Sequence, residues 1–339
     1  MYMRRVLSRL PGAAAPAVCA LLAAAALAAA PDNAAAVQPA PAKGTEARAA
    51  RDEKILDRLP ENHLRADGSV DHAVLVAHEK KRIETINARF QARLWITETP
   101  HYLVCSDADT ATTVQFVRWC EALYASLGGL FGIEPRERVW DGKCMLMLFS
   151  RRAVFEECSR AIDNHDSARA GAYFAIEDYG AGHPKLVKMS IPLDNKESRH
   201  LQELFAHEGT HAFFELYRRP GRLPLWLHEG LAEYMTTVND ASLRPEKVAR
   251  AGLAAADRAT PVPKLLAAKT GQSLKSVEYV VAFSLVDFLI AEDKPKFKKF
   301  IDALKDGKPQ EEALAAAYGF DLTELEKRWR AWLAAPSPK

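Results

Sequence analysis

Residues 207–211 read His207-Glu208-Gly209-Thr210-His211, and eighteen residues later Glu229 stands in Trp226-Leu227-His228-Glu229-Gly230-Leu231-Ala232-Glu233-Tyr234. On a helix, positions four apart differ by about 40° in direction, so His207 and His211 project from one face. Around them Leu201, Leu204, Phe205, Ala212, Phe213 and Leu216 recur at helical spacing, which predicts a mostly buried helix. Buried imidazoles need partners, and a metal ion is such a partner. Arg218-Arg219-Pro220-Gly221-Arg222-Leu223-Pro224 then breaks the helix, with two prolines and a glycine. A second helix is expected over 225–237, where Glu229 and Glu233 lie four apart on one face. Two imidazoles and one carboxylate make the three protein ligands of a catalytic zinc site, whose fourth position is left to water. Glu208 sits beside the ligand face, placed to take a proton from that water.

The two segments together resemble the gluzincin metallopeptidases, the thermolysin-like clan. Within it they are most similar to the peptidase-MA-like group of secreted bacterial proteins, many of which carry a domain of unknown function. The resemblance is specific over about 200–236 and looser, by element order, over about 95–335. It implies zinc on His207, His211 and Glu229, with Glu208 as general base. Glu233 matches the carboxylate that orients a ligand histidine from behind. The family also implies a Tyr or His from a later helix to hold the oxyanion, and Tyr279, at the head of Glu278–Leu289, matches that helix. Its other reading is a core aromatic with its hydroxyl at the rim. Tyr234 and His200 are weaker matches. One residue departs from the pattern: His228 stands where Asn or Asp is common. It points about 100° away from Glu229, so the reading places it at the surface or the cleft wall and not on the metal.

Arg4, Arg5 and Arg9 precede an alanine- and leucine-rich run from Gly12 to Ala30, the pattern of a secretory signal over 1–30. A single membrane anchor is the other reading of that run, but its alanine richness favours cleavage, which leaves no stable span. Cleavage removes three arginines and no acids, so the formal net charge goes from +2 to −1. Such a balance gives no sign of a nucleic-acid partner, and none is expected. Residues 31–50 are rich in Ala and Pro and read as a flexible leader. The remaining cysteines, Cys105, Cys120, Cys144 and Cys158, allow three disulfide pairings in an exported chain; free buried thiols are the alternative. None has C-x-x-C spacing, so no cysteine metal site is expected.

The expected fold class is α+β. An N-terminal helical segment spans 51–92 and a small mixed sheet lobe 93–195. The zinc-site helices and a mostly helical C-terminal lobe fill 196–339. Strands are expected at 102–105, 144–149, 171–174 and 186–191, and the helix from Asp109 is expected to end at Gly128-Gly129. Gluzincins pair an extended peptide with a sheet edge before the zinc helix, and either 186–191 or 171–175 offers that edge. The chain therefore reads as an exported zinc hydrolase acting on a peptide or protein substrate. The rival reading is an inactive zinc-binding scaffold of the same fold. The oligomeric state is not legible.

Overall fold

The computed structural model describes residues 58–335 except 169, 195, 258–261 and 269–273; the expectations for the signal and the leader lie outside the described residues. The architecture is α+β: a five-stranded mixed sheet in the N-terminal half, followed by helices. Helix α1 (His72–Phe90) leads into β1 (Trp95–Glu98) and β2 (Tyr102–Ser106); α2 (Thr110–Phe131) crosses to β3 (Cys144–Phe149), and α3 (Arg152–Asp163) precedes β4 (Tyr173–Asp178) and β5 (Lys185–Pro192). Then come α4 (Ser198–Leu216), α5 (Leu225–Asn239), a 3-10 turn (Ala241–Leu243), α6 (Arg244–Ala256), α7 (Val262–Leu266), α8 (Ser276–Glu292), α9 (Lys294–Lys305), α10 (Gln310–Tyr318) and α11 (Leu322–Ala334). Among the described residues, no helix is long and apolar enough to cross a membrane.

The strand order is β1-β2-β3-β5-β4, with β2, β3 and β5 parallel and both edges antiparallel. Every residue of β2 and β3 is buried, because helices cover both faces, and such strands carry continuous apolar runs instead of alternation. Val104, Leu146, Val187 and Met189 face one core with Leu123, Phe205 and Phe213 of α2 and α4. Leu103, Met145 and Met147 face the other with Ile83 and Ile86 of α1 and Phe155 of α3. The edge beside α4 is β4, so 173–178 and not 186–191 forms the free border: β5 lies between β3 and β4.

One local expectation fails and one strand goes unread, each for a physical reason. Helix α2 runs through Gly128-Gly129 and stops at Gly132, whose φ of +66° suits a left-handed cap that an L side chain rarely adopts. Two interior glycines cost about 1 kcal/mol each, but Leu130 and Phe131 beyond them are buried, which offsets the loss. Strand β1 was not legible because it is a four-residue edge with Trp95 79% exposed and no alternation of burial. The four cysteines are buried and free, split between the two cores.

Behind the sheet, on the α1/α3 side, lies a buried ionic network. Lys188 of β5 pairs with Asp163 and, at 2.5 Å, with Glu177 of β4. Arg82 of α1 holds Glu177 at 2.5 and 2.7 Å and Glu79 at 2.9 Å, while Tyr173 Oη donates to Asp163 at 2.7 Å. Burial alone would raise the Glu177 pKa, but Lys188 and Arg82 outweigh it and hold it down to about 2. Because the folded value lies below the ordinary 4.5, the stability from ionised Glu177 is complete above that pH and is lost as pH falls through about 2. Its size is about 3 kcal/mol. Urea midpoints should therefore show Glu177→Gln well below wild type at pH 7, with the gap closing as pH falls toward 2. A gap independent of pH would contradict the assignment.

Candidate metal centre

Three side chains converge between α4 and α5. His207 and His211 sit one turn apart on α4 with Nε2 atoms 3.1 Å from each other; Glu229 Oε2 of α5 lies 3.5 Å from the first and 3.4 Å from the second. Local sequence explains each placement. The burial of Phe205, Ala212, Phe213 and Leu216 fixes the rotation of α4. The turn to α5 is tied down by Tyr217 Oη to Asp302 (2.6 Å), Arg218 to Asp306 (2.7 Å) and Arg219 to Asp141 (2.8 Å). Trp226, fully buried, donates from Nε1 to Gln310 Oε1 at 2.6 Å and anchors the start of α5. Next to Glu229, Gly230 lets α5 lie against α8: a Cβ there would meet Ala282 O at 2.5 Å.

The donor set fits a metal ion. His207 Nδ1 lies 3.1 Å from Glu233 Oε1, and His211 Nδ1 lies 3.3 Å from His228 Nε2. With both Nδ1–H groups donating outward, both Nε2 lone pairs point inward. Glu229 Oε2 is buried and makes no hydrogen bond. Three lone pairs aimed at one point repel unless a cation lies between them. Tetrahedral sites with bonds of 2.0–2.1 Å have ligand–ligand edges of about 3.3 Å, which the three separations match. These three are the one such group among the described residues.

The electrostatics show that positive charge is favoured at this centre. Burial would lower the His207 pKa, but its contacts with Glu229 and Glu233 push it up to about 10. Burial would raise Glu229, and His211 and His207 hold it well below the usual carboxylate range. Glu233 is held down to about 2, since Lys247 and His207 outweigh its burial. Glu208, 8% exposed, has its pKa raised by burial, against the pull of His207 and His211. A carboxyl pushed upward in this way takes up a proton more readily than an ordinary carboxylate, as a general base requires.

The other expected residues separate. Tyr279, partly buried in the first turn of α8, has its phenol pushed up by burial and then by the carboxylates of Glu229, Glu233 and Glu208. Among the described residues its hydroxyl has no hydrogen-bond partner. Tyr234 instead has its phenol pushed up by burial and then by Asp287, and burial lowers the His200 pKa, helped by Lys196. His228 is not at the surface: its ring lies 4.1 Å from that of His211, partly buried. Phe174 on β4, with its ring 5.9 Å from that of His211, places the sheet edge beside the centre. The i−1 position on a helix put His228 off the metal, but only the packing of α5 on α4 puts it behind a ligand ring. Lys247 of α6, bonded to Glu233 at 2.5 Å, has no sequence signal, because its partner is on another helix.

Residues 199–335 match the family model of the Peptidase MA superfamily, a span that takes in α4 from its second residue and every later helix. That match agrees with the gluzincin resemblance, and over this span the chain is similar to metallopeptidases of that clan. The sheet half lies outside it. No curated protein matches the chain.

Proposed function

We propose that the chain is an exported zinc metallopeptidase. The observation that carries the reading is the near-equilateral triangle of His207 Nε2, His211 Nε2 and Glu229 Oε2 with the buried carboxyl of Glu208 on the same helix. His207, His211 and Glu229 would hold zinc, which when bound supplies a Lewis acid for a carbonyl and an acidified water. Glu208 accepts a proton from the attacking water and returns it to the leaving amine. Glu233 and His228 keep the ligand rings in orientation from behind. An extended peptide pairs with the free border of β4, antiparallel to β5 and next to Phe174, and so lies across the centre. The signal-like leader supports export, and the division into an N-terminal segment (51–92), a sheet lobe (93–195) and a catalytic half (196–339) accompanies it.

Tyr279 donates its hydroxyl to the developing oxyanion. Tyr279→Phe should therefore lower kcat by about 10²-fold with KM and zinc content unchanged. Wild-type turnover in this variant would return Tyr279 to a packing role.

The test of the function is a peptide library incubated with full-length protein, with and without a chelator. Cleavage that the chelator stops and zinc restores is expected. Stoichiometric zinc with no cleavage of any member would overturn the peptidase reading.

A further inference from the structure

We propose that Lys247 is a positioning residue of the metal centre, acting on His207 through Glu233. The inference rests on the metal-site reading above and extends it by one residue outward. Lys247 lies on α6, fourteen residues beyond Glu233 and past the 3-10 turn. Its Nζ reaches three acceptors on one turn of α5: Glu233 Oε2 at 2.5 Å, Thr236 Oγ1 at 2.7 Å and the Glu233 carbonyl at 3.2 Å. Thr236 Oγ1 spends its own proton on the same carbonyl at 2.8 Å, so it accepts from the lysine. An ammonium has three protons, and all three are used. The ammonium also lies 5.7 Å from the Phe283 ring centroid on α8, within cation–π range.

The geometry divides the Glu233 carboxylate between two tasks. Oε2 is held by Lys247, and Oε1 stands 3.1 Å from His207 Nδ1. A carboxylate fixed at one oxygen cannot rotate the other away from the imidazole. The ring plane of His207, and hence the aim of Nε2, is then set by α6. Charge gives a second reason. Glu203, Glu208, Glu229 and Glu233 crowd this region. Without Lys247, the Glu233 charge would be shared with His207 alone. The side chains of Lys247 and Glu233 are 18% and 24% exposed, dry enough for the pairing to matter and open enough to mutate.

A mere clip between α5 and α6 would show the same contacts, so the test reads metal affinity and not stability. Zinc dissociation constants are measured on the full chain by competition with a chromophoric chelator, for wild type, Lys247→Met, Lys247→Arg, Glu233→Gln and the Glu233→Gln/Lys247→Met double variant. Partners of this kind are worth about 10–100-fold in metal affinity. Lys247→Met should lose about tenfold, and Lys247→Arg should recover most of it. In the Glu233→Gln background, the lysine change should add no more than about twofold, since the two act as one unit. If Lys247→Met is recovered unfolded, Lys247→Gln, which keeps a donor but no charge, carries the same reading. Wild-type affinity in Lys247→Met with a lowered Tm would overturn the proposal, as would an undiminished loss in the Glu233→Gln background. A wild-type chain that binds no zinc would instead overturn the metal-site reading beneath it.

Discussion

Glu208→Gln should abolish most peptide cleavage, lowering kcat by about 10²–10⁴-fold, while zinc stays at wild-type stoichiometry. Glutamine keeps the shape of the side chain, so the packing beneath α4 is undisturbed; what is lost is a group that can take a proton. Glu208 suits that task by position and by environment. It follows His207 on the helix, about 100° around from the ligand face, and its burial raises the carboxyl pKa. Because none of the three convergent atoms belongs to Glu208, the change should leave metal affinity alone. Cleavage and zinc content measured on the same preparation separate the outcomes. Equal turnover in variant and wild type would remove Glu208 from the chemistry, and a loss of zinc would make it a ligand or a structural support.

The largest expected effect on stability lies on the other side of the sheet. Lys188→Met should cost about 3–5 kcal/mol, because it removes one partner from a buried ionic network. The Lys188 side chain is 4% exposed and Asp163 5% exposed. After the change Asp163 keeps, among the described residues, only its hydrogen bond from Tyr173, while Glu177 keeps Arg82 and Tyr179. Replacing the whole network with apolar side chains would be far less harmful, since the penalty comes from the stranded charge. Urea unfolding should show a lower midpoint with unchanged slope. Zinc affinity should not move, because the neighbouring Val187 and Met189 are the residues that face α4. A loss below about 1 kcal/mol would mean that water reaches the network.

What the sequence showed of the site is what helical spacing can carry. His207, His211, Glu229 and Glu233 were legible because each pair lies four apart on a single helix, and the Pro/Gly break announced the second one. The remainder depends on how helices pack. His228 lies against His211 only because α5 crosses α4, and Lys247 reaches Glu233 from α6. Neither relation has a period in the chain. The same limit applies to the fold. The apolar runs gave β3 and β5 as strands, but which strand forms the sheet edge is a matter of strand order, and 171–175 and 186–191 look equally suitable when read alone. The order β3-β5-β4 decides it, by pairing β4 antiparallel to the outside of β5. The pair Gly128-Gly129 misled because local propensity lost to the burial of the two residues after it.

The central claim is that one zinc ion sits among His207, His211 and Glu229. A crystal of the zinc-loaded protein measured on either side of the zinc absorption edge tests it most directly. The account predicts a single strong anomalous peak per chain, about 2.0–2.1 Å from His207 Nε2, His211 Nε2 and Glu229 Oε2. A peak held by other residues, or none at this triangle in protein that contains zinc, would contradict it.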